Sequence, residues 1–181
     1  MSEVLVQDPR FPIGAFVPPA AGTILPSERE EAMSVLAEFP EQLRNACEGL
    51  DAGQLATPYR EGGWTVLQLV HHVADSHMFA FLRARLALTE DWPAIKPFDQ
   101  DAWATLHDTQ AAPAEWSLEI VESVHARWGM MLQALTEAQW KRRFVHAHRG
   151  PMTLELATLL YAWHAKHHLA HITHLRVAKD W

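Results

Sequence analysis

The chain has 181 residues, 49% of them hydrophobic, which is enough for one ordinary domain with a buried core. Its formal net charge is −7 with neutral histidines, and no basic face stands out, so we expect no nucleic-acid partner. The single cysteine excludes a disulfide framework and fits a cytoplasmic protein, and no apolar run is long enough to span a membrane.

The N-terminal segment, residues 1–26, is rich in proline and begins MSEVLVQDPRFPIG. It lacks the charged start and apolar stretch of a secretory signal peptide, which agrees with a cytoplasmic location. Proline-rich chain favours extended conformations. We therefore predict that residues 1–26 form an extended arm over the body of a single domain, which spans residues 1–181.

The first long helix is predicted at residues 28–50. Ser27 is a favourable N-cap, and the glutamates that follow it suit the first turn of a helix. Pro40 lies near the middle of this segment, where we expect a kink or a break.

The second helix is predicted at residues 65–89, with Thr65 as its N-cap. Prolines then recur through residues 91–114. We interpret that stretch as a long crossover with one short helix near DQDAWATL.

Apolar residues at helical spacing predict a third helix at residues 114–138, and Thr153 can cap a fourth at residues 153–178. Residues 141–152, which contain glycine and proline, are predicted to form a loop. The sequence shows little strand signal, so we predict an all-α four-helix bundle. The long crossover lets the second and third helices run parallel, which gives up-down-down-up order.

Histidine is the unusual residue of this chain, with 12 copies. It is a common transition-metal ligand, and two histidines at positions i and i+4 share a helix face. The predicted fourth helix offers two such pairs, His164/His168 and His167/His171. Both lie near the side opposite Glu155, which we place toward solvent, so periodicity does not choose between them. Ordinary hydrogen bonding along a histidine-rich face is the alternative.

The predicted second helix adds three histidines. His77 lies on the most apolar face, where a hydrogen-bonded core histidine is the favoured interpretation. His71 lies at the edge of that face. His72 lies on the more polar side, so it is either exposed or lines a wet cleft inside the bundle, and amphipathicity leaves this undecided. His125 is alone on the third helix and is a weaker candidate.

The stretch TPYREGGWTVLQLVHHVADSH, followed much later by YAWHAKHHLAHITHLR, resembles the DinB-like superfamily. The resemblance is closest to its YfiT-like branch, described as metal-dependent hydrolases and bacillithiol S-transferases. The segments PIGAF and IKPFDQDAW are also similar to that branch. The resemblance covers nearly the whole chain and implies the same four-helix bundle.

The resemblance also implies a ligand set. In that family three histidines hold a single divalent ion, and the first follows the tryptophan of the GGW motif by eight residues. His72 stands in that position after Trp64. The other two lie on the last helix at i and i+4, directly after a tryptophan, and match His164 and His168. Lys166 interrupts the histidine run expected there, but it lies on the predicted solvent face.

Three neutral histidines leave open positions on an ion, as in a catalytic site. We expect one divalent metal per chain, zinc first and nickel second. The resemblance favours a bacillithiol-type thiol S-transferase, in which a thiol ionised near the ion attacks a small electrophile. A metal-dependent hydrolase with activated water is the alternative. A metal-binding or small-ligand-binding bundle without turnover is the further alternative.

The expected partners are a low-molecular-weight thiol, an electrophilic substrate and a second copy of the chain in a homodimer. Bacillithiol carries a malate group, so arginines that bind carboxylates are expected near the ion, and Arg60, Arg83 and Arg149 are candidates. Cys47 lies on the predicted first helix, before the metal-binding helices, and we do not assign it as the nucleophile.

Overall fold

The computed structural model describes residues 8–20 and 23–181, and the other residues of the predicted arm lie outside these ranges. The helices of the described chain are α1 (Pro26–Cys47), α2 (Ala52–Leu55), α3 (Val66–Thr89), α4 (Gln100–Trp103), α5 (His107–Ala111), α6 (Ala114–Gln133), α7 (Glu137–Trp140) and α8 (Leu154–Lys179). Its strands are β1 (Ala94–Ile95), β2 (Arg143–His146) and β3 (Gly150–Thr153). The long helices α1, α3, α6 and α8 correspond to the four predicted helices and pack into one bundle.

Side-chain contacts near the helix ends define the direction of each long helix. The contacts are Arg29–Glu155 and Arg176–Ala46 between α1 and α8, His71–Ser117 and His77–His125 between α3 and α6, Arg44–Glu115 between α1 and α6, and Arg83–Tyr161 between α3 and α8. The helix α1 is therefore parallel to α8, and α3 is parallel to α6. The two pairs run in opposite directions, so the predicted up-down-down-up bundle is confirmed.

Two apolar clusters fill the bundle, one toward each end. The first is built around Phe81, Trp128 and Tyr161, and the second around Val73 and Ile172. Between them His77 of α3 and His125 of α6, both buried, form a polar layer. This layer lies beside the site described below.

Three threonines, Thr65, Thr136 and Thr153, begin helices through side-chain caps. The Oγ1 of Thr65 accepts a hydrogen bond from the backbone N–H of Gln68 at 3.2 Å, and Thr153 caps α8 in the same way, as predicted. The predicted cap Ser27 is wrong. Leu25 is the N-cap of α1, because Pro26 occupies the first helical position and the Glu28 carboxylate accepts from the backbone N–H of Leu25 at 2.7 Å.

The predicted break at Pro40 is absent, since α1 continues through it. Proline removes one backbone donor, which leaves the carbonyl of Leu36 without its usual helical partner. The Nδ1 of His125 lies 2.6 Å from that carbonyl oxygen and replaces the lost donor. The rest of the helix keeps its hydrogen bonds and its buried face.

The predicted loop at residues 141–152 is wrong, because this segment forms a hairpin. Strands β2 and β3 pair antiparallel, and β1 from the crossover pairs with β2 in parallel. Gly150 has φ of 69°, a left-handed conformation that suits glycine at the turn. Such short strands carry too little alternation to stand out in the sequence. The crossover holds the predicted short helix, α4, and also α5.

The third helix ends at Gln133, earlier than the predicted residue 138, because Thr136 caps the separate helix α7. Glu155 was predicted on the solvent face, and this is also wrong, since it is 2% exposed. The Nζ of Lys141 pairs with its carboxylate at 2.8 Å, and Arg29 adds a second contact. These partners make burial of the carboxylate tolerable.

The described part of the arm lies along α8. The Nε1 of Trp163 donates a hydrogen bond to the carbonyl of Gly14 at 3.2 Å, and the ring of Phe16 packs beside Trp163. The ring of Phe11 lies 6.1 Å from that of His167. The arm therefore covers the helix that carries most of the candidate site. None of the described helices has the length and apolarity required to cross a bilayer.

Candidate metal centre

The structure brings His72, His164 and His168 together. One nitrogen from each ring lies within 4.8 Å of the others. The Nε2 atoms of His164 and His168 are 3.1 Å apart. The ring of His72 lies 5.0 Å from that of His168 and 5.5 Å from that of His164, between centroids.

The antiparallel packing of α3 and α8 produces this arrangement. His164 and His168 are one turn apart on α8 and present their rings on one face. His72 approaches from α3, two turns after the Thr65 cap, and the indole of Trp64 packs against its ring at 4.7 Å. The GGWT segment thus fixes both the start of α3 and one side of His72.

A wet cleft, the second of the two interpretations of His72, agrees with the structure. His72 is 6% exposed, and it lines a cavity of about 390 Å³ together with Tyr59, Arg60 and His168. A second cavity of about 660 Å³ is lined by Arg83 and Tyr161 as well as by His164. Both cavities include His164 in their walls, so a small molecule in either one can reach its ring.

A second histidine cluster overlaps the first. His167, His168 and His171 also place one nitrogen each within 4.8 Å of the others. The Nε2 atoms of His167 and His171 are 3.2 Å apart, the indole of Trp163 stacks on His167, and Tyr59 packs on His171. Because His168 belongs to both clusters, an ion in either one competes for the same ring.

Burial keeps these imidazoles neutral. Desolvation lowers the pKa of His72 to about 4, and it lowers the pKa values of His164 and His168 well below the ordinary value. The pKa of His171 falls to about 3 for the same main reason, and His167 and Arg60 add repulsion. Neutral imidazole is the form that binds a metal ion.

The donor set fits a divalent transition metal. In a tetrahedral site with metal–nitrogen distances of about 2.0–2.1 Å, two ligand nitrogens lie about 3.3 Å apart. The Nε2 atoms of His164 and His168 are 3.1 Å apart, which is close to that separation. The Nδ1 of His168 is buried without a hydrogen-bond partner among the described residues, as is the Nδ1 of His167. Three neutral histidines of this kind would hold an ion and leave positions open toward the cavities.

Two arginines and one carboxylate, that of Asp99, line the large cavity. Its wall includes Arg83, which is 7% exposed, and the exposed Arg149. Arg83 donates a hydrogen bond to the hydroxyl of Tyr161 at 2.9 Å, but its Nε has no partner among the described residues. Arg60 lines the small cavity and also has a buried Nε without a partner there. All three candidate arginines therefore border the histidine site.

The remaining histidines differ in role. His71 is bound between Ser117 Oγ at 2.7 Å and the carbonyl of Ala112 at 3.1 Å, which is a structural arrangement. His77 is fully buried and hydrogen-bonded, as predicted. His125 was a weaker candidate in the sequence, yet it bonds to His77 and to the carbonyl of Leu36. The sequence signal for the bond to Leu36 is Pro40, which removes the helical donor of the carbonyl four residues earlier.

Residues 36–172 match the DinB superfamily, and this range covers more than half of the chain. The chain belongs to that superfamily. It is 44% identical to the Bacillus subtilis protein named "Putative metal-dependent hydrolase YfiT", and the match covers 94% of this chain and 96% of the relative. A relative from Geobacillus thermodenitrificans, named "Putative metal-dependent hydrolase", is 46% identical with 95% and 96% coverage.

The solved structures agree with the bundle. The structure of YfiT from Bacillus subtilis, described as a probable metal-dependent hydrolase with an unusual four-helix bundle topology, superimposes with a TM-score of 0.92. It shares 44% identity, with 96% of this chain and 98% of that chain covered. The four-helix bundle protein TT2238 has a TM-score of 0.53 at 23% identity. This similarity supports the fold and nothing about function. The DinB superfamily assignment thus rests on sequence and fold together.

Proposed function

We propose that this DinB superfamily protein is a metalloenzyme whose single divalent ion is held by His72, His164 and His168. The observation that carries the proposal is the convergence of three neutral imidazoles beside two cavities, with His72 and His168 buried and His164 half-buried. We prefer this trio to the second cluster, His167, His168 and His171, because His164 borders both cavities. Zinc is the first choice and nickel the second, since both suit nitrogen ligands.

We propose thiol S-transfer to a small electrophile as the reaction. An ion at this centre would supply a positive charge that favours ionisation of a thiol or of water. In the transfer, the thiol sulfur bonds to an electrophilic carbon, the leaving group departs with its electron pair, and the thiol proton passes to solvent. The chain's own residues orient both reactants and exclude bulk water.

The large cavity favours a thiol that carries carboxylates. Arg83 is a buried cation without a carboxylate partner among the described residues, and Arg149 lies at the same cavity. Guanidinium groups bind carboxylates through charge-assisted hydrogen bonds. A bacillithiol-type cosubstrate, with its malate group, meets this requirement.

The thiol has to be a separate molecule. Cys47 is the only cysteine, and burial raises its pKa to about 11. It packs with the apolar cluster at the opposite end of the bundle from Tyr161 and lines neither cavity described above. A largely protonated thiol in that position is a poor nucleophile.

Hydrolysis is the alternative, and the names of the two relatives favour it. In that case water replaces the thiol as nucleophile, and the anionic group that meets Arg83 belongs to the substrate. A bundle that binds metal without turnover is the further alternative. A homodimer and a cytoplasmic location stay predictions.

One assay separates these functions. The zinc-loaded protein is mixed with monochlorobimane, with and without a carboxylate-bearing thiol, and with simple esters. Transferase activity requires the thiol, releases chloride and disappears in His164→Ala. The matched control His174→Ala removes an exposed histidine from the same helix and should keep activity. Ester cleavage without thiol favours the hydrolase, and full turnover by His164→Ala contradicts the proposed site.

A further inference from the structure

A chain of hydrogen bonds leads from α1 to the candidate metal centre. The Nδ1 of His164 lies 3.0 Å from the Nε2 of His77. The Nδ1 of His77 lies 2.8 Å from the Nε2 of His125. The Nδ1 of His125 lies 2.6 Å from the carbonyl oxygen of Leu36. Residues from all four long helices thus form one continuous line.

The line begins at a carbonyl that the sequence makes available. In α1 the carbonyl of Leu36 would normally accept the N–H of residue 40, but residue 40 is proline and has none. The proline ring also crowds the carbonyl four residues earlier. Pro40 therefore leaves an acceptor within the bundle, and His125 satisfies it.

The carbonyl sets the direction of every bond in the line. A carbonyl oxygen only accepts, so the Nδ1 of His125 must carry the proton. A neutral ring with its proton on Nδ1 has a lone pair on Nε2, so His77 must donate from its own Nδ1. The same step repeats at His77, and His164 must then donate from Nδ1. Its Nε2 is left with a lone pair that faces His168.

Burial keeps the two inner rings neutral, as this argument requires. His77 is 0% exposed and His125 is 4% exposed. Phe39 packs on both rings, and Trp128 meets both edge-on. Neither ring contacts a carboxylate among the described residues, so a charged form would lack a counter-ion.

We infer that His77 and His125 are positioning residues, which act with Leu36 and Pro40 to hold His164 in the Nδ1–H tautomer with its Nε2 lone pair directed into the metal centre. The inference about metal binding rests on the proposed function. The inference about the tautomer stands on the hydrogen bonds and on the burial of the two inner rings. Partners that orient a ligand histidine usually change metal affinity about 10- to 100-fold when removed.

The first measurement is the tautomer of His164 in the metal-free full-length protein. Long-range proton–nitrogen NMR of protein labelled with 15N-histidine distinguishes Nδ1–H from Nε2–H, and loss of one signal in His164→Gln assigns it. We expect Nδ1–H in the wild type. An Nε2–H signal for His164 in the folded wild type would overturn the inference.

Two substitutions of His77 then test whether its hydrogen bonds hold the tautomer of His164. His77→Phe removes both hydrogen bonds, so His164 should no longer be held as Nδ1–H and zinc affinity should fall about 10- to 100-fold. His77→Gln keeps a carbonyl toward His164 and an amide donor toward His125, so both properties should stay closer to wild type. Phe39→Leu is the packing control, since it disturbs the same rings without removing a hydrogen bond.

The outcomes separate the two proposals. The positioning role of His77 is overturned if His77→Phe binds zinc as tightly as the wild type while His164→Ala still loses zinc. An equal loss in Phe39→Leu and His77→Phe also overturns it, because packing then explains the effect. Absence of zinc binding by the wild type contradicts the proposed function, whereas the Nδ1–H signal of His164 would still support the hydrogen-bond line. Thermal unfolding of each variant confirms that it is folded.

Discussion

The Nε2 atoms of His164 and His168 face each other at 3.1 Å across one turn of α8. Burial holds both rings neutral, so at least one of these nitrogens presents a lone pair to the other. A divalent ion between them would satisfy both, and His72 is the third nitrogen within reach. The relationship leads directly to a test of which histidines hold metal.

Metal content should depend on the trio and not on the neighbouring histidines. We expect about one ion per chain in the wild type, and loss of the ion in His72→Ala, His164→Ala and His168→Ala, because two remaining imidazoles bind weakly. His174→Ala is the control on the same helix. Mass spectrometry of metals in the purified proteins measures occupancy.

The variant His167→Ala separates the two overlapping clusters. It should keep the ion if His72 and His164 are ligands. If His167→Ala loses the ion while His164→Ala retains it, the centre consists of His167, His168 and His171 instead.

Arg83→Gln should weaken binding of an anionic thiol. The substitution removes a buried charge that can pair with a carboxylate, a contact worth about 1.5–3 kcal/mol, so KM should rise about 10- to 100-fold with a smaller change in kcat. Steady-state kinetics with a thiol that has carboxylates and with a neutral thiol measure this effect. Arg85→Gln, an exposed arginine on the same helix, is the control. A similar increase in KM for the neutral thiol would contradict carboxylate recognition by Arg83.

The metal-free protein should lose stability in mild acid. Burial lowers the pKa of His125 from 6.5 in a free chain to about 4. Between these values the unfolded state binds more protons, so the free energy of unfolding falls as pH drops. The change from His125 alone is about 3 kcal/mol across this window.

Urea unfolding from about pH 7 to about pH 4.5 measures that slope. The free energy of unfolding should change less steeply with pH in His125→Gln, by the uptake of about one proton, because this variant has no titrating group at position 125. An identical slope in both proteins would show that His125 is not held neutral in the folded state.

Pro40→Ala should strengthen α1 and disturb the histidine line. Alanine restores an N–H opposite the carbonyl of Leu36, and proline within a helix costs about 3 kcal/mol relative to alanine, so thermal stability should rise. The new donor shares the carbonyl with His125, and the Hδ1 resonance of His125 should move upfield. An unchanged resonance would argue against the carbonyl as its partner.

Much of the fold was predictable because its signals are local. Thr65 and Thr153 cap helices where expected, and the four long helices follow from apolar spacing and from prolines between them. Ser27 was mistaken for a cap because Pro26 at the first helical position competes with it. The strands β2 and β3 were missed because four residues each are too short to show a period.

The candidate site was predictable only in part. The sequence by itself determined that His164/His168 and His167/His171 share faces of one helix, since that follows from 3.6 residues per turn. It also determined that Pro40 has no N–H to donate, whereas the continuation of α1 through Pro40, which leaves the Leu36 carbonyl to His125, was decided by the structure. Tertiary structure decided that His72 faces a cavity, that Glu155 is buried beside Lys141, and that His125 reaches Leu36. These contacts join residues far apart in the chain, and helical periodicity gives the face of a residue but not the helix that packs against it.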